Sequence, residues 1–177
     1  LVFELASKAK VKVEADKFKD QTLNIFTAPR KALDREREFP PPSQWLAETP
    51  DKLYFGRQSR DLHGYEACVA DTATGEVKVL IEERLNTYVD SQPLRLLGGG
   101  KEMVWWSERD GWGHYYLYDG DGKLKTQITS GEFVGQDIEQ VDEKARVLYF
   151  SACGREPGED PYFTHLYRVS LDGTGLK

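Results

Sequence analysis

The stretch "WWSERDGWGHYYLYDGDGKL", residues 105–124, packs two adjacent tryptophans, a charged loop, alternating aromatics and a glycine-bearing turn into twenty residues. Neighbouring residues on a strand point to opposite faces, so Trp105 and Trp106 are expected to bury one ring on each side of a sheet. The run from His114 to Tyr118 alternates in the same way, and "DGDG" supplies a hairpin corner. Spaced aspartates with glycine also resemble the start of a calcium loop. The further acidic ligands and terminal glutamate of that pattern are missing, so the turn reading is kept.

Laid over the rest of the chain, the stretch repeats. Leu53–Ile81, Val104–Ile128 and Leu148–Lys177 each open with an aromatic pair after an aliphatic residue. Each continues through a charged loop, an alternating strand and a turn: "DTATGE", "DGDGK" or "LDGTG". The pairs begin at residues 54, 105 and 149, which gives periods of 51 and 44. A further short strand and turn precede each pair, in "QWLAETPDK", "PLRLLGGGK" and "IEQVDEKA". Four strands per unit at such a period is the pattern of a β-propeller blade.

The expected class is therefore all-β: about three and a half four-stranded antiparallel blades. Strands A to D of the first full blade are placed at 43–48, 52–58, 65–71 and 76–82, and those of the next at 93–97, 102–108, 113–119 and 123–128. The third has 137–141, 146–152, 163–170 and an incomplete last strand. Residues 1–14 are assigned to strands C and D of a preceding blade with "ASK" as their turn. The corresponding divisions are 1–26, 27–42, 43–83, 84–130 and 131–177. Residues 27–42, with a charge run and three consecutive prolines, read as an irregular solvated connection between blades. The abrupt first and last residues suggest a piece of a longer protein.

Composition narrows the function classes. Twenty-four Lys and Arg against thirty Asp and Glu give a net charge of −6, a poor footprint for nucleic acid. No apolar run approaches the length of a membrane-spanning helix. Cys68 and Cys153 are too few and too distant for a disulfide framework or a CxxC site. No metal or cofactor is expected.

In an antiparallel blade the A–B and C–D turns share one end, and the B–C and D–A loops share the other. The second set is longer and chemically richer, as in "RQSRDLHG", "SERDGWG", "CGREPGEDPY" and "EERLNTYVDSQ", so that end is expected to carry the interaction face. There Arg60, Arg109 and Arg155 recur beside Asp61, Asp110 and Glu156. An adjacent arginine and carboxylate repeated per blade reads as a structural inter-blade ion pair rather than as acid–base catalysis. His63, His114 and His165 also fall at repeat positions and read as surface or inter-blade residues.

The segments "PSQWL…TPDKLYFGRQSRD", "ATGEVKVLIEERLNTYV", "WSERDGWGHYYLYDGDGKLKTQITSGEF" and "VDEKARVLYFSACGRE…HLYRVSLDG" resemble the propeller region of the dipeptidyl peptidase IV family of prolyl-type serine peptidases, its bacterial members above all. That resemblance implies a propeller joined to an α/β-hydrolase domain with a Ser-Asp-His triad, cleaving dipeptides or tripeptides from peptide N-termini after proline. It also implies a periplasmic, secreted or membrane-anchored setting. The G-x-S-x-G nucleophile elbow is absent from this sequence, so the chain itself is expected to be inert and to gate small peptides toward a separate hydrolase domain. By the same resemblance Tyr88 and Asp90 fall in a loop near the substrate pocket, with Asn86 and Trp112 as weaker pocket candidates. Self-association through uncovered blade surfaces is expected. The alternative is a non-enzymatic propeller that binds a protein or ligand on the same face.

Overall fold

Short alternating segments rich in Tyr, Val, Phe and Trp, separated by glycine-bearing turns, form strands throughout the computed structural model, which describes residues 2–3, 10–28, 46–90 and 93–177. The chain forms two compact units, Leu1–Tyr88 and Val89–Lys177. No helix long and apolar enough to cross a membrane is present among the described residues.

In the first unit β1 (Val2–Phe3) pairs antiparallel with β2 (Lys10–Val11), as the hairpin reading of the opening residues requires; the turn between them lies outside the described residues. A four-stranded antiparallel meander follows: β3 (Thr22–Ile25), β4 (Lys52–Gln58), β5 (Gly64–Asp71) and β6 (Val77–Arg84). Its first strand differs from the one expected at 43–48. Residues 46–50 form bends and a turn, and 43–45 lie outside the described residues. Thr22-Leu23-Asn24-Ile25 alternates equally well and aligns with β4 from Thr22 opposite Gln58 to Ile25 opposite Phe55. The charged, proline-rich residues 27–42 therefore fall between the first and second strands of this sheet rather than between blades.

Beneath this sheet Phe55, Cys68 and Ala70 pack with Val13, Ala15, Leu53 and Val77. The β5–β6 turn closes on the chain leaving β2 through a 2.9 Å hydrogen bond from the Glu14 N–H to the Gly75 carbonyl. Gly75 has φ +81°, and a Cβ there would lie 2.0 Å from the Lys12 carbonyl oxygen, so conformation and space both select glycine.

The second unit holds two sheets. The first joins β7 (Arg95–Leu97), β8 (Glu102–Ser107), β9 (His114–Asp119) and β10 (Leu124–Gln127). The second joins β11 (Val134–Asp142), β12 (Val147–Cys153) and β13 (Thr164–Ser170). Beyond β13 the chain turns back, and Arg168 and Lys177 exchange backbone hydrogen bonds of 2.9 and 3.0 Å. Trp106, Tyr115, Leu117, Leu148, Phe150 and Val169 share one buried core with neighbours from both sheets. Trp105, Met103 and Tyr116 on the opposite face are also withdrawn from solvent. The adjacent tryptophans thus serve two faces of β8, as alternation demands. "DGDG" is a hairpin corner, with Asp119 Oδ1 accepting the N–H groups of Asp121 and Lys123. These meanders are blades of a β-propeller.

Candidate functional site

In the first unit the β4–β5 loop is held by its own side chains. Ser59 Oγ donates to Asp61 Oδ1 at 2.5 Å and accepts the Gly64 N–H at 2.9 Å. Asp61 also accepts the His63 N–H, and these hydrogen bonds, the serine hydroxyl's first, hold its carboxyl below the ordinary aspartate range. The loop meets the connection after β6 through the Leu85 N–H and the His63 carbonyl at 3.0 Å. The His63 and Tyr88 rings stand 6.2 Å apart. Tyr88 is 68% exposed, and Asn86 and Asp90 are exposed on the same connection.

Beside this loop lies an open cleft of about 680 Å³ lined by Lys17, Phe18, Lys19, Arg60, Asp61 and Arg84. Its cations are largely matched. Arg60 reaches Asp20 at 3.3 Å, Arg84 reaches Glu82 at 3.2 Å, and Lys17 lies 3.9 Å from Glu66. Glu66 is buried and meets the buried Arg57 Nε at 2.6 Å; Arg57 also donates to the Ala15 carbonyl. Removing either partner would strand a buried charge, a loss of about 3–5 kcal/mol. Sequence reasoning misses this cleft because "DKFKD" reads only as a connection, although lysines flanking an aromatic are a visible signal.

Arg155 meets its neighbour Glu156, and the recurring arginines make further contacts of other kinds. Arg60 pairs with Asp20 rather than with its neighbour Asp61. In the second unit the Arg109 guanidinium lies 4.3 Å from the Tyr116 ring centre, and Asp110 accepts from the Tyr116 hydroxyl and from Gln127 Nε2. Arg155 lies 5.1 Å from the Tyr167 ring centre and 3.2 Å from Glu156, which accepts from the Tyr167 hydroxyl at 2.8 Å. In both sheets an arginine covers a tyrosine whose hydroxyl is held by the next carboxylate. The motif ties a B–C loop to its own C strand.

Charged contacts between the two sheets of the second unit lie at the opposite end, while at the long-loop end the Gly135 N–H donates to the Gly113 carbonyl at 2.8 Å. Glu102 of β8 accepts from Lys125 and from Arg146 in the β11–β12 turn, and Glu143 accepts the Gly98 N–H at 2.7 Å. The Arg146 hydrogen bond, and then that of Lys125, holds the Glu102 carboxyl below its ordinary range. Arg146 sits at φ 59°, a turn geometry that a pattern of residue types does not reveal.

The histidines are occupied structurally. His114 is buried, with Nδ1 3.2 Å from Thr129 Oγ1 and Nε2 3.0 Å from the Gly131 carbonyl. A carbonyl can only accept, so Nε2 carries the proton. Burial holds the His114 pKa below the usual imidazole value. His165 meets Glu159 at 2.8 Å. None of the three has a serine as its hydrogen-bond partner among the described residues. Trp112, 41% exposed in the β8–β9 loop, and Tyr88 are the large exposed rings among the four pocket candidates.

The model of the dipeptidyl peptidase IV N-terminal region matches residues 6–177. A dipeptidyl peptidase 4 of Arthroderma otae is 26% identical over 133 residues, covering 72% of this chain and 17% of the relative. The chain spans about a fifth of the length of such relatives. Among solved structures, a Bacteroides ovatus protein provisionally described as dipeptidyl aminopeptidase IV superposes over 98% of this chain and 24% of its own, with a TM-score of 0.72 at 19% identity. Porphyromonas gingivalis dipeptidyl peptidase 4 covers 74% of this chain and 18% of its own, with a TM-score of 0.65 at 23% identity. At these identities the structural likeness shows the fold.

Proposed function

We propose, from the premise that the chain belongs to the dipeptidyl peptidase IV N-terminal region family, that it serves as the non-catalytic propeller part of a serine exopeptidase. In this reading it admits small peptides and helps shape the pocket in which a separate α/β-hydrolase domain cleaves after Xaa-Pro. The observation that carries the reading is the exposure of large rings on the long-loop end of the blades, while the short turns carry charged contacts between sheets, as with Glu102 and Arg146. The B–C and D–A loops present Tyr88 and Trp112 to solvent on a rigid scaffold.

Chemistry in such an enzyme would run through a serine ester and its hydrolysis, with no step assigned to this chain. Its contribution would be binding and orientation, which appear in KM when ground state and transition state are held alike. In the enzyme that carries these residues, Tyr88→Ala and Trp112→Ala are expected to raise KM for a Xaa-Pro reporter peptide about 3–10-fold with kcat within about twofold. The purified 177-residue chain should not hydrolyse the reporter. Unchanged KM in both variants would remove the pocket role, and turnover by the isolated chain would remove the non-catalytic one.

A further inference from the structure

Between β7 and β11 of the second unit lies a small cavity of about 100 Å³, lined by Pro93, Arg95, Trp106, Tyr115, Gln136 and Asp137, with Ile138 at its side. Tyr115 is 1% exposed, and its hydroxyl has no hydrogen-bond partner among the described residues. Buried hydroxyls are nearly always satisfied, and an exception calls for a ligand or an ordered water. Arg95, on the edge strand β7, is half-buried, and burial lowers its pKa. No carboxylate of a described residue lies within salt-bridge distance of it. Gln136 Oε1 is occupied by the Thr164 hydroxyl at 2.9 Å, which leaves its amide N–H groups free to donate. Trp106 Nε1 is already used on the Gly135 carbonyl at 2.7 Å.

We propose that this cavity is a binding site for one carboxylate group, held by the Arg95 guanidinium, the Tyr115 hydroxyl and the Gln136 amide. The guanidinium and the amide N–H groups can only donate, the Tyr115 hydroxyl can donate beside them, and one group carries a full charge, so the complement is an acceptor of negative charge. A guanidinium fork matches two carboxylate oxygens. The cavity has room for a small group such as a carboxylate. Asp137 also lines the cavity, and its charge and that of Glu139 act on the Tyr115 hydroxyl and oppose an anion. Both are exposed, so solvent screens their charges more than it screens the donors. The site lies within the second unit and does not rest on the peptidase reading.

The test uses the protein that carries these residues, in sodium acetate against sodium chloride at fixed ionic strength, with melting temperature as readout. A saturable rise with acetate beyond chloride is expected. Arg95→Gln should abolish it, and Tyr115→Phe should weaken half-saturation about tenfold, the usual effect of losing one charge-assisted hydrogen bond. Tyr115→Phe should melt no lower than the parent without acetate, because the hydroxyl it removes has no internal partner. A peptide with a free C-terminus, compared with its amidated form, identifies the source. Rescue by the free form assigns a peptide terminus, and a response to acetate alone assigns a small free carboxylate. No saturable acetate response, an undiminished response in Arg95→Gln, or a lower melting temperature of Tyr115→Phe without acetate would each overturn the proposal.

Discussion

His114 is the residue whose titration most directly couples this fold to pH. Burial disfavours its charged form, while the Gly131 carbonyl and the charge of Asp110 pull the other way to a smaller extent. The pKa in the folded chain therefore lies below the ordinary imidazole value of 6.5, and below that pH the unfolded chain binds a proton that the folded one resists. The stabilisation is fully present above about pH 6.5 and is lost as pH falls from there toward the folded pKa. Melting temperatures between pH 7.5 and 5.5 should decline. His114→Gln, although destabilised by about 1–3 kcal/mol through loss of the Thr129–Gly131 bridge, should decline less steeply. An equal slope in the variant would place the titration elsewhere.

At the scale of the element, sheets in the second unit are joined by charge at their short-turn end. Glu102 side-chain exposure is 17%, and two cations share its carboxylate, so Glu102→Gln should cost about 1–2 kcal/mol in urea unfolding at neutral pH. Its folded pKa is lowered, so the wild-type advantage should persist above the ordinary glutamate value of 4.5 and fade as pH falls below it. A variant as stable as the parent at pH 7 would mean that the carboxylate is already satisfied by water. The strands these turns connect were legible from alternation and turn residues because β8, β9 and β12 are buried and strongly patterned. Two features were not. Thr22–Ile25 is short and wholly exposed, so no hydrophobic contrast distinguished it from the connection around it. The contacts of Arg60, Arg109 and Arg155 depend on loop geometry: Asp20 lies forty residues from Arg60, and tyrosine rings of the next strand lie beside Arg109 and Arg155. The same limit hid the Arg95 cavity, whose lining comes from four sequence regions.

For the whole molecule, burial is uneven in a way that bears on association. In the first unit the edge strand β3 exposes Leu23 at 49% and Ile25 at 64%. In the second, Tyr162, Phe163 and Leu166 are exposed at 87%, 59% and 68% on the β12–β13 loop and on β13. An unpaired strand edge offers backbone donors and acceptors to another chain, and apolar side chains beside it add to the attraction. Edge strands in stable monomers usually carry inward charges, prolines or bulges, and β3 has none of these. The isolated 177-residue chain should therefore self-associate, with a sedimentation coefficient that rises with concentration over the micromolar range. Ile25→Lys and Leu166→Lys place a charge in each patch without disturbing a buried contact. Each should shift the distribution toward monomer, and the patch whose variant has the larger effect is the dominant contact. A parent chain that stays monomeric across that range would show that these surfaces are too small or too dispersed to bind one another, and would remove self-association from the account.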